Sequence, residues 1–315
     1  MAQAQGDRPL LICLMGPTAS GKTALAIDLR RSFPVDIISV DSALVYRSMD
    51  IGTAKPDEET LRLAPHALID MLDPTESYSA AEFREDALRE MASIVERGRV
   101  PLLVGGTMLY FRALQRGLAT LPAADPEVRA RLEAEAEQKG WAEMHRRLAE
   151  FDPEISERIH PNDPQRIQRA LEVIEISGRK MSELQDEQEE KQLGYDVLKV
   201  VACPEPRALL HQRIEQRWDS MMEEGFMQEA QALYDRGDLD PNLPSMRCVG
   251  YRQAWAHIAG EYDGSTLREK AIAATRQLAK RQLTWLRQET DALWYDPTVE
   301  NAQSSVFREV EKFLE

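Results

Sequence analysis

The sequence has 315 residues, of which 43% are hydrophobic and 30% charged, and its formal net charge at pH 7 is −15. The length predicts about two domains, and the composition excludes a disordered or fibrous chain. The acidic balance disfavours non-specific binding to polyanions, although a local basic patch on an acidic protein is compatible with a nucleic-acid partner.

The first part of the chain alternates short apolar runs with amphipathic segments. The runs are typical of strands buried on both faces and predict strands at residues 9–15 (PLLICLM), 35–40 (VDIISV) and 100–104 (VPLLV). Helices are predicted at residues 22–31, at 80–97 after the capping box SAAE, and from 107 to about 117. Strand, loop and helix in repetition predict a parallel sheet with helices on both faces.

From about residue 121 to 186 the pattern contains no strand. Asp-Pro pairs at 125–126 and 163–164 are predicted to begin helices, and Gly140 and Gly178 to end them. Strand character returns at 196–203 (DVLKVVAC) and 292–295 (ALWY), and the polar run 185–192 is predicted as a linker or a solvated helix face. We therefore predict an α/β protein whose P-loop NTPase-like core comprises residues 1–120 and 187–315, with an all-helical insertion domain at 121–186.

The segment between the first strand and the first helix, GPTASGKT, matches the phosphate-binding pattern G-x-x-x-x-G-K-[ST]. Its backbone N–H groups would cradle an anion, Lys22 would add a positive charge, and Thr23 would offer a hydroxyl to Mg²⁺. The predicted phosphate-binding residues are Gly16, Pro17, Thr18, Ala19, Ser20, Gly21, Lys22 and Thr23. The pattern does not say whose phosphates are bound, and ATP in a kinase is one candidate.

Two further residues are expected beside this loop. Asp41 follows the second strand and Thr107 the third, and the carboxyl ends of parallel strands meet at one edge of a sheet. The third strand ends in Gly105 and Gly106 without the carboxylate that a kinase of this class uses to hold Mg²⁺. Three roles are open for Asp41 at this stage: a general base, a metal ligand or a helix cap.

The three cysteines, Cys13, Cys203 and Cys248, lie far apart, and no CxxC pair occurs. This spacing predicts a reducing compartment without a disulfide framework or structural zinc. The N-terminal residues lack a basic segment, and the apolar run 10–15 is too short for a signal or membrane helix. We expect a cytoplasmic protein that has no membrane association.

Longer motifs extend along nearly the whole chain. They are residues 38–56 (ISVDSALVYRSMDIGTAKP), 102–110 (LLVGGTMLY), 160–172 (HPNDPQRIQRALE), 247–253 (RCVGYRQ) and 275–287 (TRQLAKRQLTWLR). Together with the glycine loop, they closely resemble the bacterial tRNA dimethylallyltransferases, also called tRNA isopentenyltransferases. The resemblance implies that the loop binds the diphosphate of dimethylallyl diphosphate. The dimethylallyl group would pass to N6 of the adenosine immediately 3′ of a tRNA anticodon, and pyrophosphate would leave.

The resemblance also assigns roles to residues. Asp41 resembles the family's general base, Thr107 a residue that touches the target nucleotide and the phosphate region, and Arg217 an arginine directed at the pyrophosphate. Mg²⁺, held by Thr23, is the implied cofactor. The implied tRNA-binding residues are Asp41, Ser42, Ala43, Leu44, Thr107, Arg129, Gln165, Arg166, Ile167, Gln168, Arg169, Met246, Arg247, Cys248, Val249, Gly250 and Tyr251, the last with a side chain that could stack on a base.

Residues 265–288 hold six Lys or Arg and one Glu, against the acidic trend of the chain. Helical spacing places a polar, basic set on one face and an apolar set, predicted to be core, on another. The basic set, which is either a solvated face or a contact for tRNA phosphates, includes Lys280, Arg281 and Arg287. Arg276 falls on the apolar side, so we expect it to be paired within the protein.

Three alternatives to a tRNA prenyltransferase are considered. A prenyltransferase for free adenine nucleotides would share the chemistry, but the helical block and the basic face favour tRNA. A small-molecule kinase is disfavoured by the missing carboxylate. A non-catalytic RNA-binding module is disfavoured by intact Lys22, Thr23 and Asp41. The expected partners are therefore the tRNA anticodon stem-loop and dimethylallyl diphosphate, and the chain is expected to be a monomer.

Overall fold

The computed structural model describes residues 8–187 and 193–315. The chain divides into two compact units. The first comprises the chain up to Leu114 and from Leu193 onward, and the second comprises the stretch between them. Within the described residues, no helix combines the length and the apolar character needed to cross a membrane.

The first unit is built on one parallel sheet. Its strands are β1 (Leu10–Met15), β2 (Val35–Val40), β3 (His66–Ala67), β4 (Val100–Gly105), β5 (Asp196–Ala202) and β6 (Leu293–Tyr295). They lie in the order β3-β2-β4-β1-β5-β6, and every neighbouring pair is parallel. The predicted parallel sheet is confirmed. The strand β3 was not predicted, because two residues are too few to show a periodic pattern.

Helices account for most of the remaining described chain. The first four helices in the chain are α1 (Lys22–Ser32), α2 (Glu58–Leu63), α3 (Ala80–Glu96) and α4 (Met108–Arg116). The second unit contributes α5 (Pro126–Lys139), α6 (Trp141–Phe151), α7 (Pro153–Arg158), α8 (Pro164–Ser177) and α9 (Met181–Asp186). The chain returns to the first unit with α10 (Arg207–Glu224), α11 (Phe226–Asp235), α12 (Tyr251–Ile258), α13 (Gly264–Leu286) and α14 (Ala302–Leu314).

Helix ends follow the predicted capping residues. The hydroxyl of Ser79 accepts a hydrogen bond from the Glu82 N–H at 3.1 Å, and the Glu82 carboxylate accepts one from the Ser79 N–H at 2.7 Å. The side chains of Asp125 and Asp163 accept N–H groups from the first turns of α5 and α8, and each is followed by a proline. These helix ends could be predicted because each capping hydrogen bond joins residues that are close in sequence.

The sheet is covered on both faces. Leu11, Cys13 and Met15 belong to a cluster formed with α3 and α4, whereas Ile12 and Leu14 pack on the other face with α1 and α14. Burial on both faces is the reason that the strands read as continuous apolar runs. A third cluster joins α10, α11, α12 and α13 to the loop after β2.

The second unit has its own apolar core, centred on Leu132, Leu148, Ile167 and Leu171. The described residues of this unit are helical and contain no strand, as predicted. Of the polar run 185–192, the first two residues end α9, and residues 188–192 lie outside the described residues.

The close approach of β2 and β4 brings the candidate functional residues together. Val40 and Gly105 are paired in register at the carboxyl ends of the two strands. A Cβ at position 105 would lie 2.0 Å from the carbonyl oxygen of Val40 and 2.5 Å from its carbonyl carbon. The strands can pair here because residue 105 has no side chain, and the following residues, Asp41 and Thr107, consequently lie near each other.

The substitution Gly105→Ala should therefore lower the free energy of unfolding by at least about 3 kcal/mol. The added Cβ would clash with backbone atoms of Val40, which are held in the sheet and cannot move away. The matched control is Gly264→Ala at the start of α13, where a Cβ meets no atom within 4 Å. It should be neutral or stabilise by up to about 1 kcal/mol. Urea unfolding measures both, and equal stability of the two variants would contradict this packing account.

Candidate active site

The loop between β1 and α1 presents an anion-binding helix end. Gly21 precedes α1 in a left-handed conformation (φ 90°) and provides no side-chain cap, and the first turn of the helix contains no acidic residue. The first N–H groups of a helix have no partner within the helix and carry partial positive charge. Residues 16–23 therefore end in a backbone arrangement that attracts a phosphate group.

A cleft of about 470 Å³ opens at this loop. It is lined by Ala19, Ser20, Gly21, Lys22, Thr23, Ala54, Arg213, Gln216 and Arg217. The three cationic side chains bond to backbone carbonyls: Lys22 Nζ donates to Pro17 at 3.2 Å, Arg217 Nη2 to Thr53 at 3.1 Å and Arg213 Nη1 to Ser20 at 3.4 Å. Arg213, one helical turn before Arg217, was not predicted, because on sequence it is one of several charges on α10.

Burial changes the acid–base properties of these cations. Desolvation lowers the pKa of Lys22 to about 8, Asp41 acts in the opposite direction, and Arg217 lowers it further. Desolvation also lowers the pKa of Arg217, while Asp41 and Glu224 oppose the shift. The cleft is therefore a place where a multiply charged anion would relieve an unfavourable concentration of positive charge.

Asp41 and Thr107 lie together where β2 and β4 end. The Thr107 N–H donates to the carbonyl of Val40 at 3.2 Å, and its hydroxyl accepts the Ser42 N–H at 3.1 Å. Asp41 Oδ1 accepts the Ala43 N–H at 2.9 Å, and within the described residues no hydrogen bond reaches its Oδ2. One carboxylate oxygen thus fixes the turn while the other remains able to accept a proton.

The helix-cap alternative for Asp41 is wrong. The chain after Asp41 forms turns, and the next helix, α2, begins at Glu58 with Asp57 as its cap. Asp41 caps a tight turn instead, because its side chain reaches the N–H two residues ahead. This leaves the base and metal-ligand roles open from the geometry.

Gln282 of α13 joins the phosphate loop to the end of β4. Its Oε1 accepts the Thr18 N–H at 2.9 Å, and its Nε2 donates to the carbonyl of Gly106 at 2.9 Å. This role could not be predicted from the sequence, since an isolated glutamine on a helix has many possible partners. The amide holds two loops that are far apart in sequence at the mouth of the cleft.

The donor set of the cleft fits a Mg²⁺ ion that is shared with a phosphate ligand. Thr23 is exposed and lines the cleft. Within residues 8–187 and 193–315, no group of three His, Cys, Asp or Glu side chains could enclose a metal. Mg²⁺ commonly keeps several waters and binds one or two protein oxygens together with substrate phosphates.

The basic face of α13 is exposed as predicted at Lys280 and Arg281, and Arg287, directly after the last helical residue, is exposed as well. Among the described residues these three side chains form no ion pair. Arg276 is confirmed as paired within the protein, since it contacts Glu215 of α10. The face is therefore a patch of unneutralised positive charge on an acidic chain.

The segment 246–251 differs from expectation at its two ends. Tyr251 is only 2% exposed, packs edge-on against Phe226 and donates its hydroxyl to Glu229, so its ring is not available to stack on a base. Met246 is also buried, whereas Arg247 is exposed. The expected role of Tyr251 in stacking is corrected: its ring is a core element behind the segment.

The second unit shows a similar separation of exposed and buried residues. The predicted RNA contact Ile167 is fully buried in the core, so its side chain cannot reach a ligand. Arg129 and Arg169 both bond to the carboxylate of Glu172, which is itself fully buried and has a lowered pKa because these arginines and a backbone N–H outweigh its desolvation. Exposed side chains on the first turn of α8 include Gln165 and Arg166.

Comparison with known proteins identifies the family. Residues 44–289 match the model of the IPP transferase family. The chain therefore belongs to the IPP transferase family. The matched region is more than three-quarters of the chain. It includes α10 and α13 but begins after the phosphate loop.

Solved structures of similar proteins cover nearly the whole chain. The full-length tRNA isopentenylpyrophosphate transferase from Bacillus halodurans is 35% identical, with 98% of this chain and 97% of that chain covered and a TM-score of 0.72. The tRNA delta(2)-isopentenylpyrophosphate transferase from Staphylococcus epidermidis is 34% identical, with coverage of 97% and 99% and a TM-score of 0.69. A eukaryotic dimethylallyltransferase described as acting on tRNA is 27% identical, with coverage of 97% and 79% and a TM-score of 0.81.

The lowered pKa of Lys22 predicts a pH-dependent effect on stability. Between pH 8 and 10.5 the unfolded chain holds this proton more tightly than the folded chain, so burial of the charge costs stability below about pH 8 and ceases to do so near pH 10.5. Lys22→Met should therefore raise the free energy of unfolding at pH 7 by about 1–3 kcal/mol, and the gain should vanish by about pH 10.5. Urea unfolding across this range measures it.

The control is Lys280→Met on the exposed face of α13, which should change stability by less than about 0.5 kcal/mol throughout. A Lys22→Met protein no more stable than wild type at pH 7 would show that the charge is not penalised by burial.

Proposed function

We propose that this protein transfers the dimethylallyl group of dimethylallyl diphosphate to N6 of the adenosine immediately 3′ of a tRNA anticodon, with release of pyrophosphate. Membership of the IPP transferase family and the tRNA-directed names of its relatives support this function. The single observation that carries the proposal is the arrangement of the cleft, where desolvated Lys22 and Arg217 lie at an uncapped helix end and both interact electrostatically with Asp41.

In the proposed reaction the loop holds the leaving group. As the C–O bond breaks, negative charge grows on the diphosphate, and donors already fixed in the protein stabilise that charge without reorganising. Those donors are the backbone N–H groups of Gly21, Lys22 and Thr23 at the start of α1 and the side chains of Lys22 and Arg217, and Arg213 adds a second guanidinium one turn away. The Thr23 hydroxyl would hold a Mg²⁺ ion, which would supply additional positive charge at the leaving group.

The acceptor side requires a base. The adenine amino group is a weak nucleophile because its lone pair is delocalised into the ring, and it must lose a proton as the new C–N bond forms. Asp41 would accept this proton through Oδ2, since Oδ1 is engaged by the Ala43 N–H. Thr107 positions the turn that carries Asp41. A base in a stacked anticodon loop would have to be flipped out to reach this carboxylate.

Contact with tRNA would rely on local positive charge. In the first unit the exposed candidates are Lys280, Arg281, Arg287 and Arg247, and they would bind backbone phosphates. In the second unit Arg166 would contact RNA directly, and Arg129 and Arg169 would do so with their orientation fixed by Glu172. We also propose that the protein is cytoplasmic and that it acts as a monomer.

An acceptor assay tests the function. The protein is incubated with Mg²⁺ and dimethylallyl diphosphate labelled in the allyl group, and bulk tRNA, AMP and ATP are supplied separately. Label should enter tRNA, and nuclease digestion should recover it on a modified adenosine. Label entering AMP or ATP but not tRNA would identify a free-nucleotide prenyltransferase, and consumption of ATP without prenyl transfer would identify a kinase.

Electrostatics predicts a steep dependence of tRNA affinity on salt, although the protein is acidic. Replacing both Lys280 and Arg287 with Ala should reduce the slope of log affinity against log salt concentration by about one to two units, because two phosphate contacts are lost. Filter binding or fluorescence anisotropy over a salt series provides the measurement.

The matched control replaces Arg308 and Lys312 of α14, which removes the same net charge from another helix and should leave the slope unchanged. If the α13 variant keeps the wild-type slope, the RNA contact lies elsewhere.

A further inference from the structure

Glu229 of α11 binds a loop of the cleft through an unusual number of donors. Its Oε2 accepts the N–H groups of Asp50 and Ile51, each at 2.8 Å, and its Oε1 accepts the Gly52 N–H at 3.0 Å. The hydroxyl of Tyr251 donates to the same Oε1 at 2.5 Å. Three successive backbone N–H groups around one carboxylate form an anion nest, and the acidic side chain also lies in the first turn of its helix.

The loop held in this way packs closely against two aromatic rings. A Cβ on Gly52 would lie 2.4 Å from the ring of Phe226 and 2.6 Å from that of Tyr251. Burial and the neighbouring Glu229 raise the pKa of Tyr251, so its hydroxyl stays protonated and remains a donor. The carboxylate of Glu229 therefore joins the loop 50–52, α11 and α12 at a single point.

The next residues along this loop form part of the cleft. The carbonyl of Thr53 accepts the hydrogen bond from Arg217 Nη2 at 3.1 Å, and Ala54 lines the cleft. Among the described residues Arg217 forms no ion pair, so this carbonyl is its anchor within the protein. A guanidinium tethered by one N–H keeps its other donors in a fixed orientation for a bidentate contact with a phosphate.

From these contacts we propose that Glu229 is a positioning residue for the diphosphate site: it fixes the loop 50–54 and thereby orients Arg217 toward the leaving group. The inference deepens the proposed function and rests on it. Glu229 itself touches no substrate. Loss of its charge would leave the N–H groups of Asp50 and Ile51 facing an amide, the loop would shift, and the Thr53 carbonyl would no longer hold the guanidinium in one rotamer.

The test is a double-mutant cycle that combines Glu229→Gln with Arg217→Ala. The probe is inorganic pyrophosphate, its affinity measured by calorimetry in the presence of Mg²⁺, and the rate of prenyl transfer to tRNA is measured in parallel. Glu229→Gln alone should weaken pyrophosphate binding by about 10-fold, because Arg217 must be ordered again on binding, and leave tRNA affinity within about twofold. In the Arg217→Ala background the same substitution should have no further effect on pyrophosphate.

A purely structural role is distinguished by the control Leu233→Ala, which removes a buried side chain from the same helix. It should lower thermal stability without changing pyrophosphate affinity. Equal losses from Glu229→Gln in the presence and absence of Arg217, or no loss at all, would overturn the proposal. Wild-type protein that binds pyrophosphate but fails to label tRNA would instead contradict the proposed function.

If Glu229→Gln does not fold, Tyr251→Phe replaces it in the cycle, since it removes one donor from the same carboxylate and keeps the ring. It should weaken pyrophosphate binding by about threefold, and only when Arg217 is present. An unchanged affinity, or a loss that persists without Arg217, would overturn the proposal equally.

Discussion

The charge balance of the cleft at the end of β1 is the constraint on which the rest of the site depends. Lys22 and Arg217 are largely removed from water, and their hydrogen bonds go to the carbonyls of Pro17 and Thr53. Charges in such a position are unfavourable until a counter-ion arrives. A diphosphate supplies several negative charges. The desolvation of these cations, which lowers folding stability, would therefore strengthen the binding of dimethylallyl diphosphate in the proposed reaction.

Holding those charges in place requires contacts between segments that are distant in sequence. Gly105 lets β2 and β4 meet closely enough to place Asp41 beside Thr107. Gln282 ties the phosphate loop to the end of β4, and Glu229 ties the loop that anchors Arg217 to α11. Each of these contacts ends on backbone groups. Main-chain positions therefore define the cleft more than the cationic side chains that line it do.

Much of this architecture could be predicted because its signals are local. The apolar strands, the capping box at Ser79 and the Asp-Pro helix starts are each determined by a few neighbouring residues, and the glycine loop is a contiguous motif. The roles of Gln282 and Glu229 were missed because the backbone groups that they bind lie more than 170 residues away in sequence. The expected stacking by Tyr251 was wrong because a motif shows which residues occur together and does not show which of them face solvent.

The role of Asp41 as the base is the most specific claim, and Asp41→Asn tests it directly. Asn keeps the shape and an oxygen that can accept the Ala43 N–H, so the turn should remain intact, but it cannot take a proton from the adenine amino group. Single-turnover prenyl transfer is measured with saturating tRNA, dimethylallyl diphosphate and Mg²⁺. If Asp41 is the base, the rate should fall by about 10²–10⁴-fold, with thermal stability and tRNA affinity unchanged. A rate within about threefold of wild type would contradict it, and partial rescue by added Mg²⁺ would make Asp41 a metal ligand instead.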